Sequence, residues 1–85
     1  MKENINFLYC FDTNYNLQAF TSMISILDCS SKKINIYVIH NENNFELQVP
    51  DKILNHKNLI FFESYQFNDY EHEFPNIKNV HISVA

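Results

Sequence analysis

The sequence predicts an α/β fold built on a parallel βαβαβ sheet. Three observations lead there. Ile5 to Phe11 is a nearly continuous apolar run, Leu17 to Leu27 repeats its apolar residues at helical spacing, and Ile34 to His40 returns to β-branched and aromatic residues. Strands that alternate with helices pair in parallel, because the crossover helix returns the chain to the starting edge of the sheet.

Ile5 to Phe11 has the length and continuity of a strand buried on both faces. Leu17, Phe20, Met23, Ile24 and Leu27 follow at spacings of three, three, one and three, with Ala19 and Ile26 widening the apolar stripe of a helix. Thr13 or Asn14 is the expected cap, since either side chain can accept from a free N–H of the first turn. The segment D-C-S-S-K-K is the expected connection to the second strand, I-N-I-Y-V-I-H. Asn41 to Asn44 reads as a polar loop. Pro50 stands just outside a short helix, D-K-I-L-N, and Asn58 to Glu63 forms a third strand. A polar, acidic stretch, F-N-D-Y-E-H-E-F-P-N, follows it.

Residues 1–85 make a single small domain, one that buries roughly 60–65% of the surface its unfolded chain exposes. With 46% hydrophobic and 19% charged residues the composition is globular. Six basic residues against ten acidic ones give a net charge of -4, with no cationic cluster for nucleic acid. No apolar stretch approaches the ~20 residues of a membrane span, and the N-terminus has no export-signal pattern. Cys10 and Cys29 are therefore expected to be reduced core residues. The chain has no glycine at all, which excludes both G-x-G-x-x-G and Walker-type phosphate loops within it.

In parallel sheets, ligands bind outside the carboxyl ends of the strands. Asp12, Thr13, Asn14 and Tyr15 after the first strand would share that edge with His40, Asn41 and Glu42 after the second. Asp12 can accept from an N–H on a base edge, Tyr15 can lay its ring on the base, and Asn14 can reach base or ribose. The same D-T-N is also an ordinary capping turn. His72, between two glutamates, reads as part of a solvated acidic loop rather than a metal ligand, because neighbouring side chains on an extended segment diverge. His40 is expected at the exposed end of its strand, neither His40 nor His56 has an evident partner, and His81 is ambiguous. Cys10 lies within the apolar strand, where a thiol stays protonated and inert. A response-receiver domain would want an aspartate after the third strand, where Glu63 and Ser64 stand.

At L-Y-C-F-D-T-N-Y followed by L-Q-A-F-T-S-M-I-S-I-L, the sequence resembles the start of family 8 glycosyltransferases. The likeness continues through K-K-I-N-I-Y-V-I-H and F-P-N-I-K-N-V-H-I-S-V-A, the latter similar to a segment leading into a T-Y-Y-R-type helix. The resemblance implies the nucleotide-binding portion of a GT-A (Rossmann-like) domain, incomplete in these residues. It implies retaining transfer of a hexose from a UDP-sugar, with Mn2+ or Mg2+ as cofactor, to a saccharide or lipopolysaccharide acceptor. The family's base-contacting positions fall on Cys10, Asp12, Asn14 and Tyr15, with His81, Ile82 and Ser83 nearby. Its metal-binding D-x-D is not among these residues; Asp69-Tyr70-Glu71 is the nearest shape. On this resemblance the chain is expected to be an N-terminal fragment without catalysis of its own, and to leave one edge of its first strand unpaired. The alternative is a free-standing βαβ module that binds a nucleotide or a protein. Asn-, Ile- and Phe-rich usage suggests an AT-rich bacterial genome, and the family implies polysaccharide synthesis by a cytoplasmic enzyme at the inner membrane face.

Overall fold

The computed structural model describes residues 4–66 and the backbone of Val80–Val84. Four strands form one parallel sheet: β1 (Ile5–Cys10), β2 (Ile34–His40), β3 (Leu59–Gln66) and β4 (Val80–Val84), in the order β3-β2-β1-β4. Helix α1 (Asn16–Cys29) connects β1 to β2. A 3-10 turn (Phe45–Gln48) and the short helix α2 (Asp51–Leu54) connect β2 to β3. The parallel α/β fold expected from the alternation of elements is thus present, with one strand more than the sequence revealed. Among the described residues no helix is long and apolar enough to cross a membrane.

The core lies between the sheet and its two helical connections. Tyr9, Phe11, Ile34, Ile36 and Val38 meet Ala19, Met23 and Leu27 of α1, then Phe45, Val49 and Ile53 of the second connection. Period-two alternation explains this, since Tyr9 and Phe11 share one face of the sheet with Ile34, Ile36 and Val38 while Cys10 lies on the other. Phe11 is beyond the strand proper, yet its N–H still bonds the Ile39 carbonyl at 3.1 Å. Asn44 has φ of 56°, the only positive φ among the described residues. In a chain without glycine the left-handed position falls to asparagine, whose short polar side chain tolerates it best.

Several expectations need correction. Leu17, assigned to the apolar stripe, is 75% exposed; it stands in the first turn, on the side away from Ala19, Met23 and Leu27. The helix runs on through Asp28 and Cys29, which leaves Cys29 exposed rather than in the core, while Cys10 is half-buried and both thiols are free. β3 extends three residues past Glu63, placing Glu63 and Ser64 inside the strand. The edge of β1 expected to be unpaired is occupied: Asn6 to Cys10 pair with Val80 to Val84. That segment, V-H-I-S-V, is rich in β-branched residues, a strand signal that its likeness to a segment leading into a helix obscures. His72 and Asp69-Tyr70-Glu71 lie outside the described residues.

Candidate functional site

From β1 the chain runs outward through β2 to β3 and then returns to place β4 on the opposite side of β1. The reversal makes the β1–β4 boundary a topological switch point, the kind of place where ligands bind at the carboxyl edge of open parallel sheets. Cys10 pairs with Val84 and Tyr9 with Ser83, so the ends of the two strands are level. Of the seven residues carried over from the resemblance, Cys10, Asp12, Asn14 and Tyr15 stand at the end of β1, and the backbone of His81, Ile82 and Ser83 belongs to β4. Their side chains in β4 lie outside the described residues.

The turn after β1 is locally specified. Asp12 is extended, and one of its carboxylate oxygens accepts from the Asn14 N–H at 3.0 Å, capping a 3-10 turn over Thr13–Tyr15. The capping role expected of Thr13 or Asn14 therefore falls to Asp12, and α1 itself begins without a side-chain cap. The second Asp12 oxygen makes no hydrogen bond among the described residues. Asn14 and Tyr15 are both exposed, Tyr15 by 42%. A carboxylate oxygen without a partner among the described residues and an exposed aromatic ring in the same turn are the groups that could meet the edge and the face of a planar, N–H-bearing ring. Cys10 is half-buried, and desolvation pushes its thiol pKa up, so it is a protonated, weak donor and no nucleophile.

A second polar cluster holds this turn to the end of β2. Thr13 donates from its backbone N–H to Asn41 Oδ1 at 3.2 Å, and its hydroxyl donates to Glu42 Oε2 at 2.6 Å. Gln48 donates to Glu42 Oε1, and Asn16 Nδ2 donates to Gln48 Oε1 at 3.2 Å. These donors hold the Glu42 carboxyl below its usual range. His40 closes the cluster. Far from being exposed, it has 0% accessible surface, stacks on Phe45 with ring centroids 4.1 Å apart, and meets the edge of Phe11. It is buried because the connection after β2 folds Phe45 over the strand end. Nothing local to I-N-I-Y-V-I-H signals that cover.

His56 also has a partner, Asp28 at the end of α1, at 2.8 Å. Its other ring nitrogen accepts the Asn58 N–H, so His56 ties the end of α1 to the turn before β3. Among the described residues no three His, Cys, Asp or Glu side chains converge, so the diphosphate-bound cation implied by the resemblance has no donor set there. The residues missed from sequence are Asn16 and Gln48. An asparagine opening a helix offers a weak signal, and a glutamine in a 3-10 turn offers none.

The fold is a parallel α/β sheet whose strand order reverses at β1, with Asp12 and Tyr15 in the turn after that strand. In comparisons with family models, curated proteins and solved structures, the chain gives no match to any of them.

Proposed function

We propose that this chain carries the base-recognising part of a nucleotide-sugar site, and that the site is the UDP-hexose donor site of a family 8-type glycosyltransferase. The observation that supports it most is the placement of Asp12 and Tyr15. Both stand at the carboxyl edge of β1, beside the reversal of strand order, with one carboxylate oxygen and one aromatic ring available to a ligand. In this reading the free Asp12 oxygen accepts from the uracil N3–H, Tyr15 stacks on the ring, and Asn14 reaches the ribose. The main-chain groups of Ile82 and Ser83 flank the same edge from β4. In this reading the parent activity is hexose transfer to a saccharide acceptor, and the residues named here serve donor binding.

One observation favours a second reading, a βαβ nucleotide- or protein-binding module without catalysis. The edge of β1 that the glycosyltransferase reading reserves for a D-x-D strand is taken by β4. Both readings place a base at Asp12 and Tyr15 if the ligand is a nucleotide. Titration of the 15N-labelled chain with UDP tests this directly. Weak binding is expected, because stacking is worth about 1–3 kcal/mol and a charged hydrogen bond about 1.5–3 kcal/mol, against a comparable cost of immobilising the ligand. Perturbed amides should cluster at residues 10–15 and 82–84. Binding that survives both Tyr15→Ala and Asp12→Asn unchanged refutes the assignment.

A further inference from the structure

The hydrogen bonds around His40 run in one direction and close on themselves. The Glu42 backbone N–H donates to His40 Nδ1 at 3.1 Å, which fixes the lone pair on Nδ1 and the proton on Nε2. Nε2–H then donates to Asn16 Oδ1 at 2.8 Å. Asn16 Nδ2 donates to Gln48 Oε1 at 3.2 Å, and Gln48 Nε2 donates to Glu42 Oε1. The ring begins at the Glu42 main chain and ends at its carboxylate, whose other oxygen takes the Thr13 hydroxyl. Asn16 is the first residue of α1 and Thr13 the first of the 3-10 turn. The ring thereby grips both ends of the Thr13–Tyr15 segment.

We propose that His40, Asn16, Glu42 and Gln48 form a proton-sensitive lock that positions the Asp12–Tyr15 turn, holding it while His40 is neutral and releasing it when His40 is protonated. The physical reason lies at one atom. A proton on Nδ1 would face the Glu42 N–H, donor against donor, and would break the ring where it begins. It would also place a charge under Phe45 and Phe11, out of contact with water. Among the described residues, the charged groups that face His40 are Asp12 from the end of β1 and Glu42 from its own loop, and both favour the cation. Burial opposes them and prevails, holding the imidazole below its ordinary value. The other described residues in contact with the ring, Asn16, Phe11 and Phe45, do not titrate. His40 is a positioning residue here, since nothing places it against a ligand.

The inference rests on the proposed site only for its consequence, that acid weakens ligand binding; the lock itself is testable without ligand. The experiment is a pH titration of the 15N-labelled chain, following the imidazole nitrogens of His40 and the amides of residues 12–16 and 42. At pH 7.5 His40 should show the Nε2–H tautomer. On acidification the Thr13, Asn14 and Tyr15 amides should move with the His40 midpoint, and in His40→Gln that component should vanish. Gln48→Ala, an exposed change that opens the ring without touching the core, should shift the same amides toward their acid positions at pH 7.5 while the amides of Ile36 and Met23 stay in place. An Nδ1–H tautomer overturns the proposal. So do turn amides that ignore both His40 protonation and Gln48→Ala. UDP separates this from the function: turn amides that follow His40, with no UDP binding at any pH, leave the lock standing and remove the nucleotide reading.

Discussion

Replacing Phe45 by alanine should be among the most damaging single changes in this chain. Phe45 is 1% exposed and its ring contacts four others: Phe11 at 5.5 Å, Phe20 at 5.8 Å, His40 at 4.1 Å and Phe62 at 6.5 Å between centroids. Emptying such a site costs about 3–5 kcal/mol through lost burial and the residual cavity, and the aromatic pairings push toward the upper end. A domain of this size has roughly 4–13 kcal/mol of stability in all, so the variant should lose a large share of it. The midpoint of thermal unfolding should fall by roughly 12–40 °C. Urea denaturation followed by circular dichroism measures the loss directly, with Phe45→Leu as the volume-sparing control, expected to cost about 1–1.5 kcal/mol. A loss for Phe45→Ala below ~1 kcal/mol would show that Phe45 does not cover the end of β2, and the burial of His40 would go with it.

Stability should also fall with acid in a window that belongs to His40. The unfolded chain takes up the His40 proton near pH 6.5, whereas burial delays uptake in the folded chain to lower pH. Between those values the unfolded chain binds more protons, so stability is full above about pH 6.5 and declines as pH falls below it. Urea midpoints from pH 8 to pH 5 should show this in the wild type and lose it in His40→Gln. Carboxylates such as Glu42 and Glu46, both held below the ordinary range, keep their stabilising contribution through this window and lose it only as they are protonated at more acid pH. Leu17→Glu, at an exposed position of α1, should change stability by no more than about 0.5 kcal/mol. A large loss on urea unfolding would return Leu17 to the apolar stripe.

What the sequence made legible were features encoded by neighbours along the chain. β2 was readable to the residue because I-N-I-Y-V-I-H is bounded by lysines and by a polar loop, and Pro50 marked the short helix by its own geometry. The boundaries that slipped were those set by partners elsewhere. β3 runs past Glu63 because β2 continues beside it as far as His40, which pairs with Gln66. The burial of His40 depends on Phe45, five residues later and in a different element, and no periodicity spans that gap. For the site, Asp12 and Tyr15 were legible as residue types after a strand. Their support by Asn16, Glu42 and Gln48 was not, because it is assembled only when α1 and the second connection meet over the strand ends.

The absence of glycine bears on which part of a nucleotide this edge can recognise. A phosphate cradle of main-chain N–H groups needs close backbone approach and left-handed positions, for which glycine is the usual residue. Here the one left-handed position among the described residues is Asn44, in the loop after β2 rather than in the turn after β1. The N–H groups of Asn14 and Tyr15 are already taken by the Asp12 side chain and carbonyl. The net charge of -4 adds a mild repulsion toward a diphosphate. On the proposed reading, recognition at Asp12 and Tyr15 is recognition of the base, with the phosphates contributing little to affinity. Uridine and UDP should bind this chain within about threefold of each other, a difference below 1 kcal/mol, with little dependence on salt. Competition between the two in the same amide-shift titration measures it. A preference for UDP of tenfold or more would mean that a phosphate site exists on this chain, and that the base alone does not define the ligand.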